Sequence, residues 1–327
     1  MYGAAASWRR RWYARDPARV RRLQRPVVSV GNLRAGGSGK TPIVAHLARV
    51  LAAHDEKPAI LSRGYGRRTA TPGVTVVSDG RQILADYDTA GDEPLMLARA
   101  LPFVPILVGA DRYASGTQAE REFGATVHVL DDGFQHVALA RDADLLLVDE
   151  SDLTERVLPL GPLREPIANA VAADALLVTA PTADDVTRVA AAMRVPVAFC
   201  IARRIGPALA LPRSASRVER AAPVFAFAGI ARAERFFDDL ARDGWTLAGT
   251  QAFRDHHRYT DADLVRLTAA ARAAGASAFL TTEKDAVRLD RLDYSAWTIA
   301  SLSLTATVEP TAAFVAWLLD RVRGGAR

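Results

Sequence analysis

The feature that most constrains this chain is an eleven-residue segment near its start. Val27 to Val30 is a short β-branched run, and it leads directly into Gly31-Asn32-Leu33-Arg34-Ala35-Gly36-Gly37-Ser38-Gly39-Lys40-Thr41. A helix-like stretch follows from Thr41 to about Ala53. A glycine-rich turn between a strand and a helix is the setting of a phosphate-binding P-loop. Its glycines let backbone N–H groups turn inward around phosphate oxygens, and the helix N-terminus adds partial positive charge. In that reading Gly36, Gly37, Ser38, Gly39, Lys40 and Thr41 hold the nucleotide. Lys40 reaches the β- and γ-phosphates, and the Thr41 hydroxyl meets Mg²⁺. The strict pattern places glycine at position 34, where this chain has Arg34.

The rest of the chain fits the α/β class that such a loop demands. Ala59 to Ser62, Ile106 to Gly109, Thr126 to Leu130, Leu145 to Val148 and Leu176 to Thr179 read as buried strands. Helical patterns lie between them at Pro94 to Leu101, Arg112 to Phe123 and Ala183 to Met193. Such alternation builds a mainly parallel sheet. A second series begins near Pro223, with strands at 224–228, 246–252 and 278–281 and helices at 233–242 and 261–273. The expected architecture is a P-loop NTPase-like parallel-sheet domain over residues 26–210 and a smaller α/β domain over 211–327. A basic arm, residues 1–25, precedes them.

That arm holds eight arginines against one acid, Asp16, so the whole formal excess of +5 resides in it. Trp8 and Trp12 stand one helical turn apart among the arginines, the composition of a helix lying on an anionic membrane surface. A solvated helix and a nucleic-acid-binding arm share the same charge pattern. Cys200 is the only cysteine, which excludes an intrachain disulfide and a cysteine-based zinc cluster. No uncharged apolar run reaches the ~18 residues of a membrane span, and no signal peptide is evident, so a cytoplasmic address is expected.

A nucleotide site needs an acid near its metal, commonly at a strand end. Thr126 to Leu130 runs into Asp131-Asp132-Gly133, and carboxylates are ligands that Mg²⁺ prefers. Asp-Gly is also common in plain turns. No Asn-Lys-x-Asp guanine reader is formed by any of the three lysines, Lys40, Lys57 or Lys284, which favours ATP.

Further motifs follow in order. They are Ser62-Arg63-Gly64-Tyr65-Gly66, Gly91-Asp92-Glu93-Pro94, Asp131-Asp132-Gly133-Phe134-Gln135-His136 and Leu158-Pro159-Leu160-Gly161-Pro162-Leu163-Arg164-Glu165. After them come Asp255-His256-His257 and Thr282-Glu283-Lys284-Asp285. Together with the phosphate loop, from about Pro26 to Leu289, they resemble the tetraacyldisaccharide 4′-kinases, the lipid A kinases of Gram-negative bacteria. The resemblance implies transfer of the ATP γ-phosphate to the 4′-hydroxyl of an acylated glucosamine disaccharide 1-phosphate, giving lipid IVA. It implies work at the cytoplasmic face of the inner membrane, on an anionic surface, with no nucleic acid and no obligate protein partner.

By the same resemblance Asp92 is the catalytic aspartate, with Lys40 assisting. Its dyad partner from the second domain is one of the two adjacent histidines, His256 or His257; His256 is favoured because it directly follows Asp255, as in the family motif. Asp131, Asp132 and Glu165 join Thr41 as metal ligands. Asn32, Arg63, Tyr65, Glu93, Gln135 and Arg164 face the substrate or its phosphates. Local sequence alone reads Asp92-Glu93-Pro94 as a helix start. The family usually carries a longer, more apolar N-terminal helix before the loop, whereas the roughly thirty residues before it here are arginine-rich. Membrane association is therefore expected to rest more on charge and tryptophan than on deep insertion. Two other classes share the loop: a partitioning-type ATPase switch, which usually has lysine where Ala35 stands, and a peripheral binding protein with a vestigial loop.

Overall fold

The computed structural model describes residues 2–36, 39–65, 67–69, 73–180 and 182–324. Its elements, in chain order, begin with α1 (Tyr2–Ala14), β1 (Val27–Asn32), α2 (Lys40–Ala52), β2 (Pro58–Ser62), β3 (Thr75–Asp79) and α3 (Tyr87–Ala90). There follow α4 (Asp92–Ala100), β4 (Pro105–Val108), α5 (Arg112–Phe123), β5 (Val127–Asp131), β6 (Ala143–Asp149), β7 (Ala175–Thr179) and α6 (Ala183–Met193). The remainder is β8 (Ala198–Ala210), β9 (Val224–Ala228), α7 (Ala233–Arg242), β10 (Leu247–Ala252), α8 (Asp261–Ala273), β11 (Ala278–Thr282), α9 (Glu283–Leu289), β12 (Ile299–Glu309) and α10 (Thr311–Gly324).

The chain divides into two compact units, residues 1–202 with 306–327, and residues 203–305. This departs from the expected division at 210/211 in two ways. The chain passes between units inside β8 and again inside β12, and α10 belongs to the first unit, not the smaller one. The reason for the second is packing. Phe314, Leu318 and Val322 of α10 are buried, Phe314 meets Phe199 edge-on at 5.1 Å, and Arg321 pairs with Asp174.

In the first unit the strands run in the order β8-β7-β6-β1-β5-β2-β4-β3. All neighbours are parallel except β3 and β4. β1 is fully buried and pairs with β5 on one side (Val30 opposite Asp131) and β6 on the other. Strands covered on both faces must be apolar along their whole length, which is why Val27–Val30 and Leu145–Val148 read as continuous runs. Helix α2 seals one face with Ile43, Val44, Leu47, Ala48 and Leu51, a single stripe at helical spacing. Each such buried leucine stabilises the unit by roughly 1.5–3 kcal/mol. Parallel strands all aim their carboxyl ends at one edge, the edge where open α/β sheets bind ligands.

The second unit repeats the logic on a smaller scale. Its strands lie in the order β10-β9-β11-β12, parallel throughout, with β9 and β11 entirely buried. One aromatic core packs Phe225, Phe227, Tyr259 and Phe279 under α8 and α9. A second core sets Phe237 and Leu240 of α7 against Val224, Leu280 and Leu302.

Candidate active site

The first unit gathers most of its candidate residues where β1, β2 and β5 end. Gly39 caps α2 in the left-handed conformation, φ 77°, and Lys40 begins the helix. Gly37 and Ser38 lie outside the described residues. Gly31 has a separate purpose. A Cβ there would stand 2.3 Å from the Phe134 Cβ, so only glycine lets the end of β1 lie against the turn that follows β5.

That turn carries the acids. Asp131 closes β5, is 2% exposed, and accepts a hydrogen bond from Ser62 Oγ at 3.1 Å. Burial, then the charges of Glu93 and Asp132, raises its pKa to about 7 against the pull of Lys40. Asp132 adopts φ 55°, unusual outside glycine. Burial works to raise its pKa too, but the Arg164 hydrogen bonds and the Lys40 charge override it and hold the carboxyl well below its ordinary range. Arg164 reaches Asp132 with both terminal nitrogens, at 3.0 and 2.8 Å, and Lys40 Nζ stands 3.2 Å from the same carboxylate. Two adjacent carboxylates are thereby driven apart, one towards its acid and one fixed as an anion.

Asn32 ties this cluster together. Its Oδ1 accepts from Lys40 Nζ at 3.1 Å and from Arg164 Nη2 at 2.7 Å, and its carbonyl accepts from Gln135 Nε2 at 2.9 Å. Asn32 and Gln135, both expected against substrate, are joined by these bonds to Lys40, Arg164 and each other. The Leu158–Glu165 loop lies along the phosphate loop through main-chain bonds, Ala35 N–H to Pro162 O (2.8 Å) and Arg164 N–H to Leu33 O (2.6 Å). Arg34, at the position that departs from glycine, sends its guanidinium to Asp152 and Glu155.

Asp92 begins α4 directly after the Gly91 cap, as the helix-start reading expects, and is 2% exposed. Glu93 beside it is one of the charges felt by Asp131. Arg63 and Tyr65 are exposed, Tyr65 at 70%.

Glu165, expected as a metal ligand, is 3% exposed, and in this structure its two oxygens accept from Arg10 Nε and Nη2 (3.2 Å each) and from Asn169 Nδ2 (2.8 Å). Among the described residues no three acids, histidines or cysteines form a metal-holding group. The N-terminal helix supplies the partner of Glu165. Arg10 also donates to Phe134 O at 3.0 Å and lies 4.1 Å above the Phe134 ring, while Arg9 donates to Gln135 O at 2.7 Å. The arm is therefore not a free basic tail; two of its arginines are spent on the site.

In the second unit the two adjacent histidines have different surroundings. His257 Nε2 donates to Asp263 Oδ2 (3.2 Å), a member of the capping box that starts α8, and its ring stacks on Phe253 at 4.5 Å. It is built into the fold. His256 is 30% exposed at its side chain, adopts φ 58°, and has Nε2 3.7 Å from Asp255 Oδ2. Asp55 and Arg194, the other non-glycine residues with positive φ among those described, sit just after helices, where that conformation is routine.

Residues 1–323 match the sequence pattern of the family described as tetraacyldisaccharide-1-P 4′-kinase. The chain belongs to this family. A tetraacyldisaccharide 4′-kinase of Geobacter metallireducens is 41% identical over 295 residues, 88% of this chain and 86% of that one. A tetraacyldisaccharide 4′-kinase of Syntrophus aciditrophicus is 36% identical and spans 99% of this chain and 91% of its own. A crystal structure of LpxK from Aquifex aeolicus in complex with ATP superposes with a TM-score of 0.77 at 29% identity, covering 98% of this chain and 96% of that one.

For a kinase of this family the sequence reading missed one group. Arg112 is the first residue of α5, 5% exposed, and donates to Gly109 O and Ala110 O. Burial and then the nearby charge of Arg63 lower its pKa to about 10, with Asp131 and Asp132 opposing. A cation at a helix N-terminus opposes the helix dipole, and that conflict was the readable signal. Beside it Arg67 has a buried Nη1 with no hydrogen-bond partner among the described residues, and Asn32 Nδ2, Gln135 Oε1 and His136 Nε2 are likewise unpaired. His136 is neutral because burial, then Arg112, Arg9 and Arg141, lowers its pKa to about 4. The unmet donors among these, Arg67 Nη1 and Asn32 Nδ2, suit a polar, anionic ligand.

Proposed function

We propose that this chain is an ATP-dependent kinase that moves the γ-phosphoryl group onto the 4′-hydroxyl of a tetraacyldisaccharide 1-phosphate, yielding lipid IVA. The observation that carries the reading is the Lys40–Asp132–Arg164–Asn32 network at the end of β1, with the buried Asp92 at the start of α4. Family membership replaces the switch and binding-protein readings.

Phosphoryl transfer asks for positioning and charge neutralisation. Lys40 neutralises charge on the transferring group. Arg164, half-shielded and paired to Asp132, has a charge that a phosphate oxygen can share. The Asp92 carboxylate takes the proton of the 4′-hydroxyl as the O4′–P bond forms and the bond to ADP breaks. His256, in the second unit, is the second proposed catalytic residue. Arg63, Arg67, Arg112, Tyr65 and Glu93 serve the sugar and its phosphate.

Mg²⁺ fits the donor set in a limited way. The ion needs only one or two carboxylates when substrate phosphates complete its shell. Asp131 and Asp132 at the end of β5 and the Thr41 hydroxyl at the start of α2 supply hard oxygen donors; Glu165, held by Arg10, does not. When bound, the ion neutralises phosphate charge.

No helix among the described residues is long and apolar enough to cross a membrane. Trp8 (60% exposed) and Trp12 (38%) stack on one another at 6.4 Å on α1, which suits peripheral contact with the anionic cytoplasmic face of the inner membrane. The test is transfer of label from γ-labelled ATP to tetraacyldisaccharide 1-phosphate in mixed micelles. Acceptor-independent ATP hydrolysis without labelled lipid would overturn the kinase reading.

A further inference from the structure

The Thr282-Glu283-Lys284-Asp285 motif has no part in the reaction just described, yet its Asp285 forms a fully buried ion pair with Arg288 in the second unit. Thr282 caps α9, and its hydroxyl donates to Asp285 Oδ2 at 2.7 Å. Asp285 accepts the Gly229 N–H on both oxygens, at 3.1 Å each. One turn along α9, Arg288 Nη1 donates to Asp285 Oδ1 (3.0 Å) and to Gly229 O (2.6 Å). The side chains of Arg288 and Asp285 are 1% and 0% exposed. The pair thus grips the residue-229 loop through its N–H and its carbonyl, and the His256 N–H donates to that same carbonyl at 3.1 Å.

The other terminal nitrogen of Arg288, Nη2, stands 3.4 Å from His256 Nδ1. A guanidinium has no lone pair to offer, so the bond has one direction only: arginine donates and Nδ1 accepts. A neutral imidazole that accepts at Nδ1 carries its proton on Nε2.

We propose that Arg288, locked by Asp285 and Thr282, is a positioning residue that fixes His256 as its Nε2–H tautomer. This rests on the catalytic role proposed for His256 and deepens it. A ring held in this way serves the reaction as a hydrogen-bond donor through Nε2, orienting and stabilising a carboxylate. The carboxylate, not the imidazole, then takes the hydroxyl proton. The motif that looks like a simple helix start is in this account a clamp that acts through Arg288.

The experiment uses the full-length enzyme labelled with ¹⁵N-histidine, with H256Q to assign the signal. Wild type is expected to show an unprotonated Nδ1 and a protonated Nε2 on His256, and R288M a mixture of tautomers. In the transfer assay R288M is expected to lower kcat about 10- to 100-fold with KM for ATP unchanged, whereas R288K, which keeps a donor, recovers most of it. Adding H256Q to R288M is expected to cost much less than H256Q costs wild type. A His256 protonated on Nδ1 in wild type overturns the proposal, as does full additivity of the two substitutions. If R288M does not fold, the wild-type tautomer and R288K still decide it. Undiminished activity of H256Q overturns the catalytic role beneath the proposal while leaving the tautomer result standing, so the two failures are separable.

Discussion

Each unit of this molecule contains an aspartate–arginine pair at the edge of a parallel sheet, and the two pairs differ in burial. Asp132 and Arg164 keep 38% and 23% of their side-chain surface exposed, share Lys40 and Asn32, and are each near groups that a phosphate could replace. Asp285 and Arg288 are sealed from water and saturate the main chain of Gly229. An arginine that must exchange a carboxylate for a phosphate has to remain partly solvated, since desolvated pairs are costly to separate. An arginine that must hold another residue still is better buried. The same two side chains thus serve as a working contact in one place and as a clamp in the other.

The largest expected effects come from the working cluster. Lys40→Ala should lower kcat/KM by roughly 10²–10³-fold or more, as loss of a charge aimed at the transition state does. Its thermal midpoint should stay near that of wild type in a melting experiment. Arg164→Ala should lower activity by a smaller factor and cost about 1 kcal/mol in urea unfolding, because its pair keeps contact with water. Asp285→Asn should reverse that balance, with a stability loss of about 3–5 kcal/mol from the orphaned Arg288. Equal unfolding costs for Arg164→Ala and Asp285→Asn would erase the distinction between contact and clamp.

Arg10→Ala sharpens the comparison from a third side. Arg10 fixes Glu165 and the Phe134 carbonyl, so its loss should reduce kcat severalfold while vesicle partitioning changes little. Trp8→Ala should do the opposite, weakening partitioning into anionic vesicles while leaving turnover of micellar substrate nearly intact. A pure membrane arm would show both effects in both variants.

The smallest effect is a pH dependence. Burial keeps the folded pKa of Asp131 near 7, above the ordinary carboxylate value. The folded state then binds the proton more tightly than the unfolded chain. In chelator-treated protein, stability from this group is full below about pH 4 and is lost as pH rises towards 7. Asp131→Asn should flatten that decline in urea titrations at a series of pH values. Magnesium nucleotide should flatten it in wild type as well, because a cation replaces the proton. Identical slopes for wild type and variant without metal would show that Asp131 ionises freely.

Much of this architecture was legible in the sequence because it rests on local rules. The strand–loop–helix around Gly39-Lys40-Thr41 and helices such as α5, α6, α7 and α8 follow apolar runs, helical periodicity and caps. The two longest strands, β8 and β12, escaped for opposite reasons. β8 carries Arg203, Arg204, Gly206 and Pro207, a composition that reads as a linker. β12 alternates Leu302, Leu304, Ala306 and Val308 with serine and threonine, a period-two signal that was present and unread. Missing both strands put the division between units in the wrong place and assigned α10 to the wrong one. At the site, motifs marked Lys40, Asp92, Asp131, Asp132 and Arg164, but partners set by tertiary packing were not readable. That Glu165 belongs to Arg10, 155 residues away, is a property of the fold alone.

The central claim is most directly tested by label transfer from γ-labelled ATP to tetraacyldisaccharide 1-phosphate, with wild type beside Asp92→Asn, a nearly isosteric change that removes the base. The account predicts labelled lipid with wild type and almost none with Asp92→Asn, although the variant binds ATP as wild type does. Equal transfer by the two proteins would contradict it.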